Sequence, residues 1–280
     1  MSERIMLLGD SHGNAKYIQA ALNLASELGI PRVVQLGDFG VWPGEEGRVF
    51  LNAVNESSIS TGVRFDFIDG NHEDFNQLDV YERESERAYD GSVLIRSNVH
   101  WWPRGSVTTI ANKTVGFLGG AVSVDRNMRK ENKSWWSQER LTISQVDSLI
   151  KNASGAVDVL LTHDAPRCVP MVGSGTWPSE LIKDSDDMRG LLDQAILSLR
   201  PALVCHGHWH TLHYSTSNLR GWKFKTLGAG ADSLVEGVCI VDFADLSIHR
   251  PDGYLFPESL SSLARKHKTA SNHIEQKLLW

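Results

Sequence analysis

Apolar residues along this chain gather in short runs, and a polar, turn-forming segment closes each run. Five runs share a further feature: an Asp, Asn or His stands where the run stops. They are Ile5-Met-Leu-Leu-Gly-Asp10-Ser-His12, Val33-Val-Gln-Leu-Gly-Asp38, Phe65-Asp-Phe-Ile-Asp-Gly-Asn71-His72-Glu73, Asp158-Val-Leu-Leu-Thr-His163 and Ala202-Leu-Val-Cys-His206-Gly-His208-Trp-His210. Runs of this length bounded by glycine and acidic residues suit strands buried on both faces.

Helical periodicity fills the gaps in the first third. A pattern over 15–28 is stopped by Gly29 and Pro31, and a second runs near 45–55 before the strand 65–69 ends at Gly70. Strand–helix–strand order predicts right-handed crossovers and a mainly parallel sheet. In such sheets ligand-binding groups collect beyond the carboxyl ends of the strands, where all five blocks place theirs. Strand-like pieces follow at 93–95, 106–110 and 114–118, then a polar, tryptophan-containing loop over 122–140. A helix over 142–152 begins at Thr142 or Ser144. Strand 158–162, a Pro/Gly/Ser-rich loop over 165–179, a helix over 187–199 and strand 202–206 come next. The body closes with antiparallel strands near 212–217, 223–227, 237–242 and 246–249. These readings give one domain over 1–257 and a tail over 258–280, whose Leu260, Leu263, Leu278, Leu279 and Trp280 call for a packing surface or an oligomer contact.

Composition adds mostly exclusions. The 280 residues are 41% hydrophobic and 22% charged, with a formal net charge of -6, which offers no large basic surface for nucleic acid. Three widely spaced cysteines, Cys168, Cys205 and Cys239, form neither a zinc ribbon nor a disulfide framework. No stretch approaches the roughly 20 apolar residues of a membrane span, and the N-terminus has no signal-peptide pattern. A cytoplasmic enzyme is the expectation.

The strand-end residues carry the chemistry. Asp10-x-His12 offers oxygen and nitrogen donors, a mixture suited to manganese, iron or zinc rather than calcium. His208 and His210 alternate in an extended segment and so project on one face. Taken singly, Asp38 reads equally as a turn former, Asn71-His72-Glu73 as a helix-capping turn, and His163 and His206 as strand-end histidines held by hydrogen bonds.

In order and spacing, Asp-x-His, Gly-Asp, Gly-Asn-His-Glu, His and Gly-His-x-His resemble the calcineurin-like metallophosphoesterase family. The resemblance runs from Asp10 to His210. It implies an α/β fold, a four-layer αββα sandwich of two mixed sheets flanked by helices, with a metal site at the strand C-terminal ends. It also implies two divalent metal ions, manganese first, with iron, zinc, cobalt or nickel as alternatives. Asp10, His12, Asp38 and His210 would hold one ion; Asp38, Asn71, His163 and His208 would hold the other, with Asp38 bridging. A water shared by ions about 3.5–4 Å apart would attack phosphorus in line, and His72 would protonate the leaving group.

The chain departs from the family where many members have Gly-Asp-x-x-Asp: Val41 stands at the second Asp, so His72 needs another partner, Glu73 or Asp69. The implied activity is hydrolysis of small phosphodiesters, 2′,3′-cyclic nucleotides among them. A monoesterase (protein or nucleotide phosphatase), a nuclease and a non-catalytic scaffold are the alternatives; Asp38 lacks the following Arg-Gly of many protein phosphatases. Arg126, Arg129 and Arg167 are the candidate substrate contacts. Trp101-Trp102 and Trp135-Trp136 suit core packing better than a stacking wall for a base.

Overall fold

The computed structural model describes residues 4–171, 177–233 and 235–251, so the tail expected over 258–280 lies outside the described residues. The chain runs β1 (Arg4–Leu8), α1 (Ala15–Glu27), β2 (Arg32–Gln35), α2 (Gly44–Thr61), β3 (Arg64–Phe67), α3 (Phe75–Glu84), β4 (Val93–Arg96), β5 (Val99–Trp101), β6 (Val107–Ile110) and β7 (Lys113–Leu118). It continues through α4 (Ile143–Ala153), β8 (Val159–Thr162), α5 (Ser179–Leu199), β9 (Leu203–His206), β10 (His213–Leu219), β11 (Trp222–Gly228), β12 (Val238–Asp242) and β13 (Ser247–His249).

These strands form two mixed sheets. One has the order β13-β12-β1-β2-β3-β5-β4, the other β10-β11-β9-β8-β7-β6. Parallel pairings link β1, β2, β3 and β5 in the first sheet and β7, β8, β9 and β11 in the second. Antiparallel strands close the edges, as β12 does beside β1 and β6 beside β7.

Side-chain alternation explains the layers. Successive residues of a strand face opposite ways, so Ile5 and Leu7 join the core between the sheets while Met6 and Leu8 join the core under α1 and α2. In the second sheet, Leu161 and Cys205 face inward, and Leu160 and Val204 face α4 and α5. Three apolar layers therefore separate four structural layers, helix–sheet–sheet–helix. No described helix is long and apolar enough to cross a membrane.

Some elements differ from the sequence expectation. The single strand expected at 93–95 is a pair, β4 and β5, joined by a tight turn. Helix α5 starts at Ser179 rather than near 187. In its first turns Leu181 is buried and Asp184 binds both Arg126 and Arg140. Helix α4 is capped by Thr142, whose N–H donates to Gln145 Oε1 at 2.9 Å.

Trp101, Trp102 and Trp136 are buried in the core. Trp102 stacks on Phe117 with ring centroids 4.5 Å apart and planes 2° from parallel, joining the two sheets. Its indole N–H donates to Asp66 Oδ1 at 2.9 Å, a carboxylate also paired with Arg32 and Arg64. Trp102→Ala is expected to cost about 3–5 kcal/mol, measured as the shift of the urea unfolding midpoint. Trp102→Phe, which keeps a stacked ring, should lose less.

Candidate metal centre

Beyond the strand ends the chain reverses sharply. His12 has φ 44°, Asp38 52°, His208 64° and His210 49°. Left-handed backbone costs an L-residue about 1–2 kcal/mol, and Asp, Asn and His tolerate it best among non-glycine residues. Four such residues gathered at one place mark a site whose geometry outweighs local comfort.

Two buried carboxylates organise the centre in parallel ways. The N–H of His208 donates to Asp10 Oδ1, and the N–H of His72 donates to Asp38 Oδ1, both at 2.9 Å. Glycine makes each approach feasible. A Cβ on Gly207 would collide with Asp10 Oδ1, and one on Gly70 would collide with Asp38 Oδ1. Asp10 Oδ2 then faces His210 Nε2 at 3.0 Å and His12 Nε2 at 3.9 Å.

Asp38 looks two ways. Its Oδ1 lies 3.3 Å from His163 Nε2, while its Oδ2 lies 3.9 Å from both His12 Nδ1 and His72 Nε2. The donor atoms of Asp10, His12 and His210 fall within 4.8 Å of one another, as do those of Asp38, His163 and His208. A third grouping, His12, Asp38 and His72, joins the two. Asn71 adds its Oδ1, 3.0 Å from His163 Nε2. All seven residues expected to bind metal thus meet at one edge of the sandwich.

The electrostatics fit a cation. Asp10 and Asp38 are essentially buried, and among the described residues neither forms an ion pair with a lysine or arginine. Buried carboxylates without such a partner are costly. Burial would raise Asp38, yet the charge of His163 and then of His72 holds its carboxyl well below the usual range. Burial would lower His163, but the charge and hydrogen bond of Asp38 push it up to about 10. The centre therefore draws positive charge, which a proton or a metal ion can supply. The donor set, two carboxylates, four imidazoles and an amide oxygen, suits first-row divalent ions.

His163 is also oriented for such a role. Its Nδ1–H donates to Leu36 O at 2.7 Å, which turns Nε2 toward Asp38 and Asn71, where a metal ion would take the place of its proton. His208 lies against it with ring centroids 5.0 Å apart. The loop carrying His208 is held by Trp209, whose Nε1–H donates to Asp164 Oδ1 at 2.8 Å under the guanidinium of Arg189. His206 is buried apart from these groupings, its Nδ1 paired with Gly207 O.

Neither Glu73 nor Asp69 partners His72. Glu73 accepts the N–H groups of Phe39, Gly40 and Val41, at 2.7, 3.1 and 2.7 Å, and so fixes the loop after Asp38. Burial, with the nearby charge of Asp38, pushes Glu73 up to about 7 despite these donors. Asp69 accepts from Trp101 and Arg104. Val41 is wholly buried in the core beneath the loop. The partner of His72 is Arg129, whose guanidinium donates to His72 Nε2 at 2.9 Å and is anchored on Asp125 at 2.8 Å. Burial pushes His72 below its ordinary value, and Arg129 adds to that against the pull of Asp38.

Of the three arginines singled out in the sequence, only Arg129 is seen against the cluster. Arg126 is committed to Asp184 of α5 at 2.6 Å. Arg167 lies over Gly190 and pairs loosely with Asp193 at 3.8 Å, also on α5. Sequence reasoning missed Ser123 and Glu139. Asn71 Nδ2 donates to Ser123 Oγ at 2.9 Å, and Ser123 in turn donates to the Glu139 carboxylate. Neither residue lies in a motif, so only the folded loop reveals them.

A model of the calcineurin-like phosphoesterase family matches residues 3–212, which contain every residue of the centre. Comparison with curated proteins finds no match. Among solved structures, TT1561 of Thermus thermophilus is 13% identical with a TM-score of 0.55, over 89% of this chain and 98% of that one. A second solved structure has the same identity and TM-score, over 92% of this chain and 100% of the other. At such identities the likeness concerns the fold. A dimetal phosphatase from Danio rerio is more distant, with 13% identity and a TM-score of 0.41 over 85% of this chain and 92% of its own. With the family match covering β1 to β9 and the strand-end residues they bring together, the chain belongs to the calcineurin-like phosphoesterase family.

Proposed function

We propose that this chain is a dinuclear-metal phosphodiesterase acting on small diesters, with cyclic nucleotides, the 2′,3′ forms among them, as the substrate class. The observation that carries the reading is a pair of donor groupings, Asp10 with His12 and His210 and Asp38 with His163 and His208, joined by a third of His12, Asp38 and His72. In this reading, Asp10, His12, Asp38 and His210 would hold the first ion, and Asp38, Asn71, His163 and His208 the second. Bound there, a pair of ions supplies Lewis acidity toward a phosphoryl oxygen and lowers the pKa of bound water. Manganese is the first choice, because the donors are hard oxygens and imidazoles without thiolate.

The chain's own groups do the rest. The glycines at 70 and 207 bring backbone N–H groups onto Asp38 and Asp10, which fixes the carboxylates before substrate arrives. Arg129, anchored on Asp125, presents its guanidinium beside His72 at the mouth of the centre, where it would bind a non-bridging phosphate oxygen. With Arg129 drawn onto the phosphate, His72 Nε2 is free to take a proton from solvent and pass it to the leaving oxygen. A diester carries one negative charge, and one guanidinium on this side matches it. Buried Val41 and the following Trp42 stand where many protein phosphatases carry an Asp-Arg pair, which favours a diester over a phosphoprotein monoester.

Manganese-loaded protein is expected to cleave bis(p-nitrophenyl) phosphate and 2′,3′-cyclic nucleotides faster than matched monoesters. Chelation, Asp38→Ala or His208→Ala should reduce the rate to background. Full activity in both variants without metal would sink the mechanism, and faster monoester turnover would move the assignment to a phosphatase.

The role of His72 has its own test in a series of diesters with leaving groups of rising pKa. His72→Ala should cost little with p-nitrophenolate and roughly 10²–10⁴-fold with alkoxide-like leaving groups. A deficit that does not change along the series would show that His72 is not the acid.

A further inference from the structure

The dinuclear reading leaves one ligand with a problem of orientation. Asn71 ends in an amide whose oxygen can bind a cation and whose nitrogen cannot, and the two ends have nearly the same shape. We propose that Ser123 and Glu139 are positioning residues that hold the Asn71 side chain with its oxygen toward the second metal position. The proposal rests on the reading in which Asn71 is a metal ligand.

Hydrogen-bond direction enforces the arrangement. Glu139 is wholly buried, which raises it, but the two donors of Ser123 favour its ionised form, and an ionised carboxylate can only accept. Its Oε1 takes the backbone N–H of Ser123 at 2.9 Å, and its Oε2 takes the Ser123 hydroxyl proton. With that single proton committed, Ser123 Oγ has only lone pairs left to offer. It therefore selects the donor end of Asn71, Nδ2, at 2.9 Å. The amide oxygen is left pointing the other way, 3.0 Å from His163 Nε2. A flipped amide would set oxygen against a lone pair at Ser123 and an NH₂ group toward the ion.

The fold closes this chain of contacts into a ring. Arg104 donates to the Glu139 carbonyl at 3.0 Å, to the Arg140 carbonyl at 2.7 Å and to Asp69 Oδ2 at 2.7 Å. Asp69 begins the turn that carries Asn71, and its carbonyl accepts the Gly120 N–H at 2.9 Å. The loop after β7 is thus fastened to the end of β3 at the point where the amide must be aimed. Partners beyond the ligand shell that orient the ligands typically contribute about 10–100-fold in metal affinity.

The test is calorimetric titration of manganese into metal-free, full-length protein, compared with Ser123→Ala, Glu139→Gln and Asn71→Ala. The unmodified protein should bind two ions. Ser123→Ala should leave one site unchanged and weaken the other about 10–100-fold. Glu139→Gln should weaken the same site, because a glutamine NH₂ can donate to Ser123 and free the hydroxyl to donate to a flipped Asn71. In the Asn71→Ala background, Ser123→Ala should add nothing. Affinities within twofold of the unmodified protein in both single variants, or an additive loss in the double variant, would overturn the relay. If Ser123→Ala fails to fold, Glu139→Gln alone and in the Asn71→Ala background decides by the same criteria. Uptake of fewer than two ions by the unmodified protein would refute the dinuclear reading and this one with it, whereas two ions with unaltered variants refutes the relay alone.

Discussion

Asp38 lies at the end of β2, almost wholly buried, with Oδ1 toward His163 and Oδ2 toward His12 and His72. A carboxylate so placed, with no lysine or arginine paired to it among the described residues, imposes a condition on its surroundings. Positive charge must reach it, and backbone must approach it closely enough to supply hydrogen bonds. Much of the local architecture meets that condition. Gly70 lets the His72 N–H come within 2.9 Å of the carboxylate. Glu73 pins the three N–H groups that follow Asp38. The two sheets are packed so that imidazoles from the ends of β1, β8 and β9 converge on it.

The long loop between β7 and α4 is the other half of the design. Its residues reach the centre from outside the strand ends, Arg129 at His72 and Ser123 at Asn71. Its position depends on charges elsewhere in the chain: Asp184 of α5 holds Arg126 and Arg140, and Arg104 clamps the carbonyls of Glu139 and Arg140. Polar networks specify one arrangement when every member is satisfied. The strand ends thus define a rigid set of donors, and the loop determines which groups stand over them.

How much of this was legible in the sequence follows from the range of each interaction. The strands announced themselves as apolar runs, and the donors stood next to those runs, so Asp10, Asp38, Asn71, His163 and His208 could be located before any fold was known. The left-handed turns at His12, Asp38, His208 and His210 leave no such trace, because polar residues at turns are common. Ser123 and Glu139 act across 52 and 16 residues of sequence, with side chains found on any protein surface. Arg129 could be named as a candidate but not told apart from Arg126 and Arg167, since their partners lie on the turn before α3 and on α5. The helix expected near 187 starts earlier, at Ser179, for the same reason: Asp184 serves the loop, not the helix.

The central claim is that two ions share Asp38. Crystals of the manganese-loaded protein, measured with X-rays on both sides of the manganese absorption edge, test it most directly. Two anomalous peaks about 3.5–4 Å apart are expected, one contacted by Asp10, His12 and His210, the other by Asn71, His163 and His208, with Asp38 touching both. A single peak, or a pair that does not share Asp38, would contradict it.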